Sequence, residues 1–168
     1  MTAHSLLPKD IDALAKRVIE ENAKIGRKVA LAESCTGGLV SAALTEIPGS
    51  SGVLERGFVT YSNEAKIDLL GVPQDIIETF GAVSVACVWA MAQGALKKSE
   101  ADVAVAISGV AGPDGGTELK PVGTVVFAQA KRGEEDAEPV AEMRKLEGKT
   151  RAEVRRQATL VALELLLP

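Results

Sequence analysis

Apolar residues at Ile11, Leu14, Val18 and Ile19 recur three and four positions apart between Pro8 and Gly26, which predicts an opening helix with proline at its start and glycine as its stop. From Lys28 to Glu33 the pattern changes to a short apolar run, read as a buried strand. LVSAALTEI (39–47) returns to helix formers and ends at the turn PGSSG. VLERGFVTYS (53–62) has the β-branched and aromatic residues of a second strand. NEAKIDLL (63–70) is helical up to Gly71, and PQDIIETFG (73–81) is a short helix. Ser84 is placed to cap the helix VACVWAMAQGALKK (85–98), whose final lysines suit a helix C-terminus. The strand DVAVAIS (102–108) then runs into the loop GVAGPDGG. Two further strands, VGTVVFAQAK (122–131) and PVAEMRKLE (139–147), flank RGEEDAE, read as a solvated acidic loop. A last helix starts near Thr150, with Leu160, Leu163, Leu166 and Leu167 as its packed stripe. This alternation predicts one three-layer α/β/α domain over residues 1–168, with a mixed, mostly parallel sheet of five or six strands.

A chain of 168 residues can bury a core without metals or disulfides. With only one Trp, one Tyr and three Phe, that core must be built from Ala, Val, Ile and Leu. The net charge of −4 gives no general reason to bind a polyanion, so nucleic acid is not an expected partner, although a local cation cluster could hold a small phosphate. No apolar run approaches the roughly 18 residues of a membrane span, and MTAHSLLPKD lacks the features of a signal peptide, so a cytoplasmic protein is expected. Cys35 and Cys87 are read as reduced thiols, and no Cys or His spacing suggests a metal site. The only histidine is His4, in a leader expected to fray. A Ser-His-Asp or Cys-His mechanism within one chain is thereby excluded, leaving a carboxylate, a Tyr or a perturbed Lys as proton acceptor.

Three segments carry candidate chemistry. AESCTGG (32–38) sets two possible nucleophiles, Ser34 and Cys35, at a strand-to-helix turn; the alternative is that Ser34 or Thr36 only caps the helix while the glycines shape the turn. FVTYSNEAK puts Tyr61 at a strand end and Lys66 one turn later. A surface lysine is usually solvated, but without a usable histidine Lys66 becomes a leading candidate base for a serine. An isolated lysine titrates at about pH 10.4, so a neutral amine near pH 7 to 8 requires burial worth about 4 kcal/mol. A nearby carboxylate, Glu33 or Glu64, would oppose that change. The third segment, residues 107–124, holds five glycines and is either a phosphate-approaching loop or a flexible hairpin. In RAEVRRQ, Arg151, Arg155 and Arg156 open a helix where its dipole disfavours cations; solvent or a bound phosphate would compensate.

AESCTGG, RGFVTYSNEAK, GAVS (81–84), SGVAGPDGG with KPVGTV, and VRRQA (154–158), in this order, resemble the CinA C-terminal domain family over nearly the whole chain. The likeness is greatest to its stand-alone form, without the N-terminal domain of longer members. The resemblance implies hydrolysis of the carboxamide of nicotinamide mononucleotide to nicotinic acid mononucleotide and ammonia, in pyridine nucleotide recycling, without metal or cofactor. By the same resemblance Ser34 is the nucleophile, Lys66 its base and Tyr61 an assistant, with either Lys66 or Tyr61 expected to return the proton with which ammonia leaves. Backbone N–H groups at Thr36, Gly37 and Gly38, with Ser50 or Ser51, are expected to hold the oxyanion. Gly112, Gly115, Gly116 and Arg156 are expected to hold ribose and phosphate, with Arg151 a weaker candidate. Cys35 remains the rival nucleophile. A non-catalytic binding module or sensor for a phosphorylated small molecule is the alternative function, and apolar helix faces permit a homodimer.

Overall fold

The computed structural model describes residues 5–168, so His4 lies outside the described residues. Its elements follow the order α1 (Lys9–Lys24), β1 (Val29–Glu33), α2 (Leu39–Thr45), β2 (Leu54–Val59), α3 (Asn63–Leu70), α4 (Gln74–Phe80), α5 (Val85–Lys97), β3 (Val103–Gly109), β4 (Thr124–Lys131), β5 (Val140–Lys145) and α6 (Arg151–Leu165), with a single 3-10 turn at Ser50–Gly52. Strand order in the sheet is β2-β1-β3-β4-β5. β1 is parallel to β2 and β3, while β4 is antiparallel to both β3 and β5. Four of the five strands therefore point one way and only β4 runs against them, as the alternation of elements predicted. Among the described residues, no helix is long and apolar enough to cross a membrane.

The two faces of the sheet differ in the size of their side chains. Successive strand residues point to opposite faces. Val29, Leu31, Val103, Val105, Ile107, Val125 and Phe127 pack with α1, α2 and α6 in one buried cluster. Ala30, Ala32, Ala104, Ala106, Ala128 and Ala130 join Cys87, Val88, Met91 and Ala92 of α5 in the other. Small side chains on that second face let α5 lie close to the sheet, and Gly94 in turn lets α3 lie close to α5, because a Cβ there would overlap the carbonyl of Leu70. The lysine of α3 is positioned by this stacking.

Helix starts follow local chemistry. The hydroxyls of Ser62, Ser84 and Thr150 accept from the N–H groups of Ala65, Cys87 and Glu153, capping α3, α5 and α6. RGEEDAE is solvated from Gly133 onward, but Arg132 folds back and donates to the carbonyls of Ala101, Leu96 and Ser99. This exposed turn arginine ties the start of the loop to the end of α5 and the segment before β3.

Candidate functional site

The parallel ladder runs out at the C-terminal ends of β1, β2 and β3, and three segments meet there. The Ser34 N–H donates to Ile107 O (3.0 Å) and the Thr60 N–H to Glu33 O (2.8 Å), so pairing holds the residues just beyond β1 and β2 in place. Lys66, in the first turns of α3, is 1% exposed. Its Nζ lies 2.9 Å from Ser34 Oγ, 2.8 Å from Thr60 O and 3.0 Å from Tyr61 O. A neutral amine has two N–H bonds and one lone pair. In that form, with the N–H bonds on the two carbonyls, the lone pair would face the Ser34 hydroxyl, a geometry in which a proton can pass between them.

Burial pushes the Lys66 amine below the usual lysine range, opposed by the nearby Cys87 and Cys35 sulfurs. Neither carboxylate expected to resist that change does so. The Glu33 side chain turns to the other face of the sheet and accepts four hydrogen bonds there: Thr36 Oγ1 (2.7 Å), Val40 N (3.0 Å), Ser41 N (3.0 Å) and Ser41 Oγ (2.7 Å). Glu33 thus caps α2, the task that the alternative reading of AESCTGG gave to Ser34 or Thr36. Cys35 packs in the bulky apolar cluster, and burial pushes its thiol up to about 11, which leaves it protonated at neutral pH.

Beside the pair lies a cleft of about 300 Å³ whose walls include Tyr61, Asn63, Ser108, Gly112, Asp114 and Arg151. Gly112 and Gly115, both at positive φ, bend the glycine loop along one wall. Several N–H groups of that loop, including those of Ala111, Gly112 and Gly115, have no acceptor among the described residues. The Arg151 guanidinium donates to Gly112 O (2.6 Å) and to the Tyr61 hydroxyl (3.0 Å), tying the loop to the opposite rim.

Several expected residues stand elsewhere. Ser50 and Ser51 precede β2 and lie at the opposite end of that strand from Ser34, too far along the sheet to meet an oxyanion. Arg156 pairs with Asp10 of α1 and does not line the cleft, so of the two phosphate candidates the weaker, Arg151, is the one present. Gly116 packs against Val122 outside the cleft wall, and a Cβ on it would come within 2.8 Å of the Val122 nitrogen. The Thr36 hydroxyl is spent on Glu33, and the Gly37 N–H on Ser34 O (3.0 Å). Gly37 and Gly38 shape the turn through positive φ and are not cleft walls. The Tyr61 hydroxyl bonds Arg151, with no contact to Ser34 or Lys66 that would serve proton return. Sequence reading missed Asn63, Ser108, Asp114 and the walls Ala82 and Val83. Ser108 had a readable signal, since it ends the apolar run of the strand next to β1.

Fold and site together define an α/β sandwich with a buried serine–lysine pair at the C-terminal edge of its parallel strands. The sequence matches the CinA C-terminal domain over residues 11–168, and the chain belongs to that family. Nicotinamide-nucleotide amidohydrolase PncC of Escherichia coli K12 is 54% identical over 142 residues, covering 84% of this chain and 83% of that protein. A CinA-like protein of Akkermansia muciniphila is 55% identical over 73% of this chain but only 30% of its own length. The chain therefore spans about a third of such longer relatives. The crystal structure of competence/damage inducible protein CihA from Agrobacterium tumefaciens superposes with a TM-score of 0.91 at 47% identity, covering 97% of both chains. A CinA superfamily protein from Escherichia coli gives 0.86 at 33% identity, covering 98% of this chain and 93% of that one.

Proposed function

We propose that the chain is a nicotinamide-nucleotide amidohydrolase that works through Ser34 and Lys66 in pyridine nucleotide recycling. The observation that carries this reading is the 2.9 Å contact between a buried, depressed lysine amine and a serine hydroxyl. The similarity to the nicotinamide-nucleotide amidohydrolase PncC supports a nicotinamide nucleotide as substrate, which we take to be nicotinamide mononucleotide. In acylation the Ser34 proton passes to Lys66 Nζ as Oγ bonds the carboxamide carbon. The tetrahedral intermediate then breaks its C–N bond, and the proton on Lys66 leaves with the amide nitrogen as ammonia. In deacylation water attacks the ester, gives its proton to Lys66, and the C–Oγ bond breaks as that proton returns to Ser34. The products are nicotinic acid mononucleotide and the free enzyme.

The cleft suits this substrate at both ends. The cationic pyridinium ring near Nζ disfavours a second positive charge and so keeps Lys66 neutral. Arg151 and the open N–H groups beside Gly112 and Gly115 provide donors for phosphate and ribose. The test is ammonia release from nicotinamide mononucleotide by wild type, Ser34→Ala and Lys66→Ala, with circular dichroism to check the fold. Wild-type turnover with both variants silent and folded is the expected result. Near-normal release by Ser34→Ala removes the serine assignment, and saturable binding without release by wild type favours the sensor reading.

A further inference from the structure

The three arginines at the start of α6 have three different tasks. Arg156 pairs with Asp10 and Arg151 lines the cleft, whereas Arg155 does neither. Its Nε donates to Cys35 O (3.0 Å) and its Nη2 reaches Thr36 O (3.4 Å). One guanidinium thus spans two successive carbonyls of the turn that carries Ser34. The third carbonyl of the turn, that of Ser34, accepts from the Gly37 N–H (3.0 Å). The guanidinium lies against Gly37, where a Cβ would be 3.4 Å from Nη2, in van der Waals contact. Among the described residues no carboxylate pairs with Arg155.

In a planar trans peptide the C=O and N–H point in opposite directions. With the Ser34 carbonyl tied back to Gly37, the Cys35 N–H of the same peptide points away from that bond. It donates to no other residue among the described ones, its nearest acceptor being the thiol of Cys35 itself, and Cys35 lines the cleft beside Ser34. The N–H of the residue after a nucleophilic serine is a frequent oxyanion donor. A turn free to flip its peptides would instead present carbonyl oxygens to the developing negative charge.

We propose that Arg155 is a positioning residue that clamps the Cys35 and Thr36 carbonyls on the α6 side of the turn and so keeps the Cys35 N–H aimed at the oxyanion. This rests on the amidohydrolase reading of Ser34. It makes Arg155 a contributor to transition-state binding without substrate contact. Lysine offers a single point charge and does not span two carbonyls in the plane of a guanidinium.

The test compares wild type, Arg155→Ala and Arg155→Lys by steady-state ammonia release, by melting temperature, and with added guanidinium ion at sub-denaturing concentration. The expected result is a kcat about 10- to 100-fold lower in both variants, less than the roughly 100- to 1,000-fold for an oxyanion donor removed outright because the donor is only misaimed, with KM changed less than about threefold. Guanidinium should restore turnover to Arg155→Ala and leave wild type unchanged. A raised KM with normal kcat overturns the proposal, because Arg155 would then be reaching substrate. So does a loss of kcat that follows the unfolded fraction without rescue. A second readout, the rate at which a fluorophosphonate labels Ser34, does not depend on the natural substrate. If wild type releases no ammonia, the substrate reading fails, yet slower labelling in Arg155→Ala still supports the clamp and equal labelling rejects it.

Discussion

Replacing Glu33 by Gln changes one atom of the site and should destabilise the protein severely. The carboxylate accepts two bonds on each oxygen: Thr36 Oγ1 and Val40 N on one, Ser41 N and Ser41 Oγ on the other. Glutamine keeps one acceptor oxygen and brings an NH2 group to the other side. The hydroxyls can rotate to accept from that group, but one backbone N–H, of Val40 or Ser41, must face it without an acceptor. A stranded buried N–H costs about 1–3 kcal/mol. The surviving bonds also lose their charge assistance, which roughly halves their strength. Together the loss is about 2–4 kcal/mol, or about 5–15 °C in melting temperature for a chain of this size. Thermal unfolding of the two proteins by circular dichroism at neutral pH measures it. A Glu33→Gln protein that melts within about 2 °C of wild type would show that the capping bonds do not hold α2 as described.

Three further outcomes are expected. Because burial lowers the Lys66 amine and only its neutral form accepts the Ser34 proton, kcat/KM should rise with pH through a limb below the about 10.4 of an isolated lysine; a limb at or above that value contradicts a buried base. Cys35→Ala should turn over within about threefold of wild type, since a thiol pushed up to about 11 supplies almost no thiolate at neutral pH; abolished turnover in a folded variant would return the nucleophile to Cys35. Gly94→Ala should cost about 1–3 kcal/mol through the overlap with the Leu70 carbonyl; because that contact seats α3, it should also lower kcat in protein that remains folded, and unchanged kcat would detach Lys66 from this packing.

Much of the architecture was legible because its signals are local. Gly71 ends α3 at positive φ, Ser84 and Thr150 cap α5 and α6, and the five strands fall within about three residues of the runs read for them. The pairing of Ser34 with Lys66 was expected only from chemistry, by the absence of a usable histidine and by family resemblance. Its geometry depends on β1 and β2 being parallel neighbours, which neither segment encodes alone. For the same reason the sequence placed Arg156 ahead of Arg151, whereas Arg151 is the one that lines the cleft. Positions five apart on a helix point about 140° away from each other, so the side chain that reaches the cleft depends on how α6 lies on the sheet, and Arg151, not Arg156, faces it.

The choice between Ser34 and Cys35 turns on the pleat of β1. In Val29-Ala30-Leu31-Ala32-Glu33 the odd residues face α1, α2 and α6, while the even residues face α5 and the helices stacked on it. The alternation continues past the end of the strand, because the Ser34 N–H still pairs with Ile107 O. Ser34 thus emerges on the face where α3 brings Lys66, and Cys35 turns back into the bulky cluster. The same parity sends Ser108, after Ala104 and Ala106, to the lysine side and Glu33 to the opposite side. Both ionisable groups are buried and neither sees the other. A Glu33–Lys66 ion pair would hold the amine protonated and without a lone pair for Ser34. The sheet keeps them apart because Glu33 and Ser34 are consecutive and so point to opposite faces, and a neutral lysine next to a serine can follow from that single step of pleat.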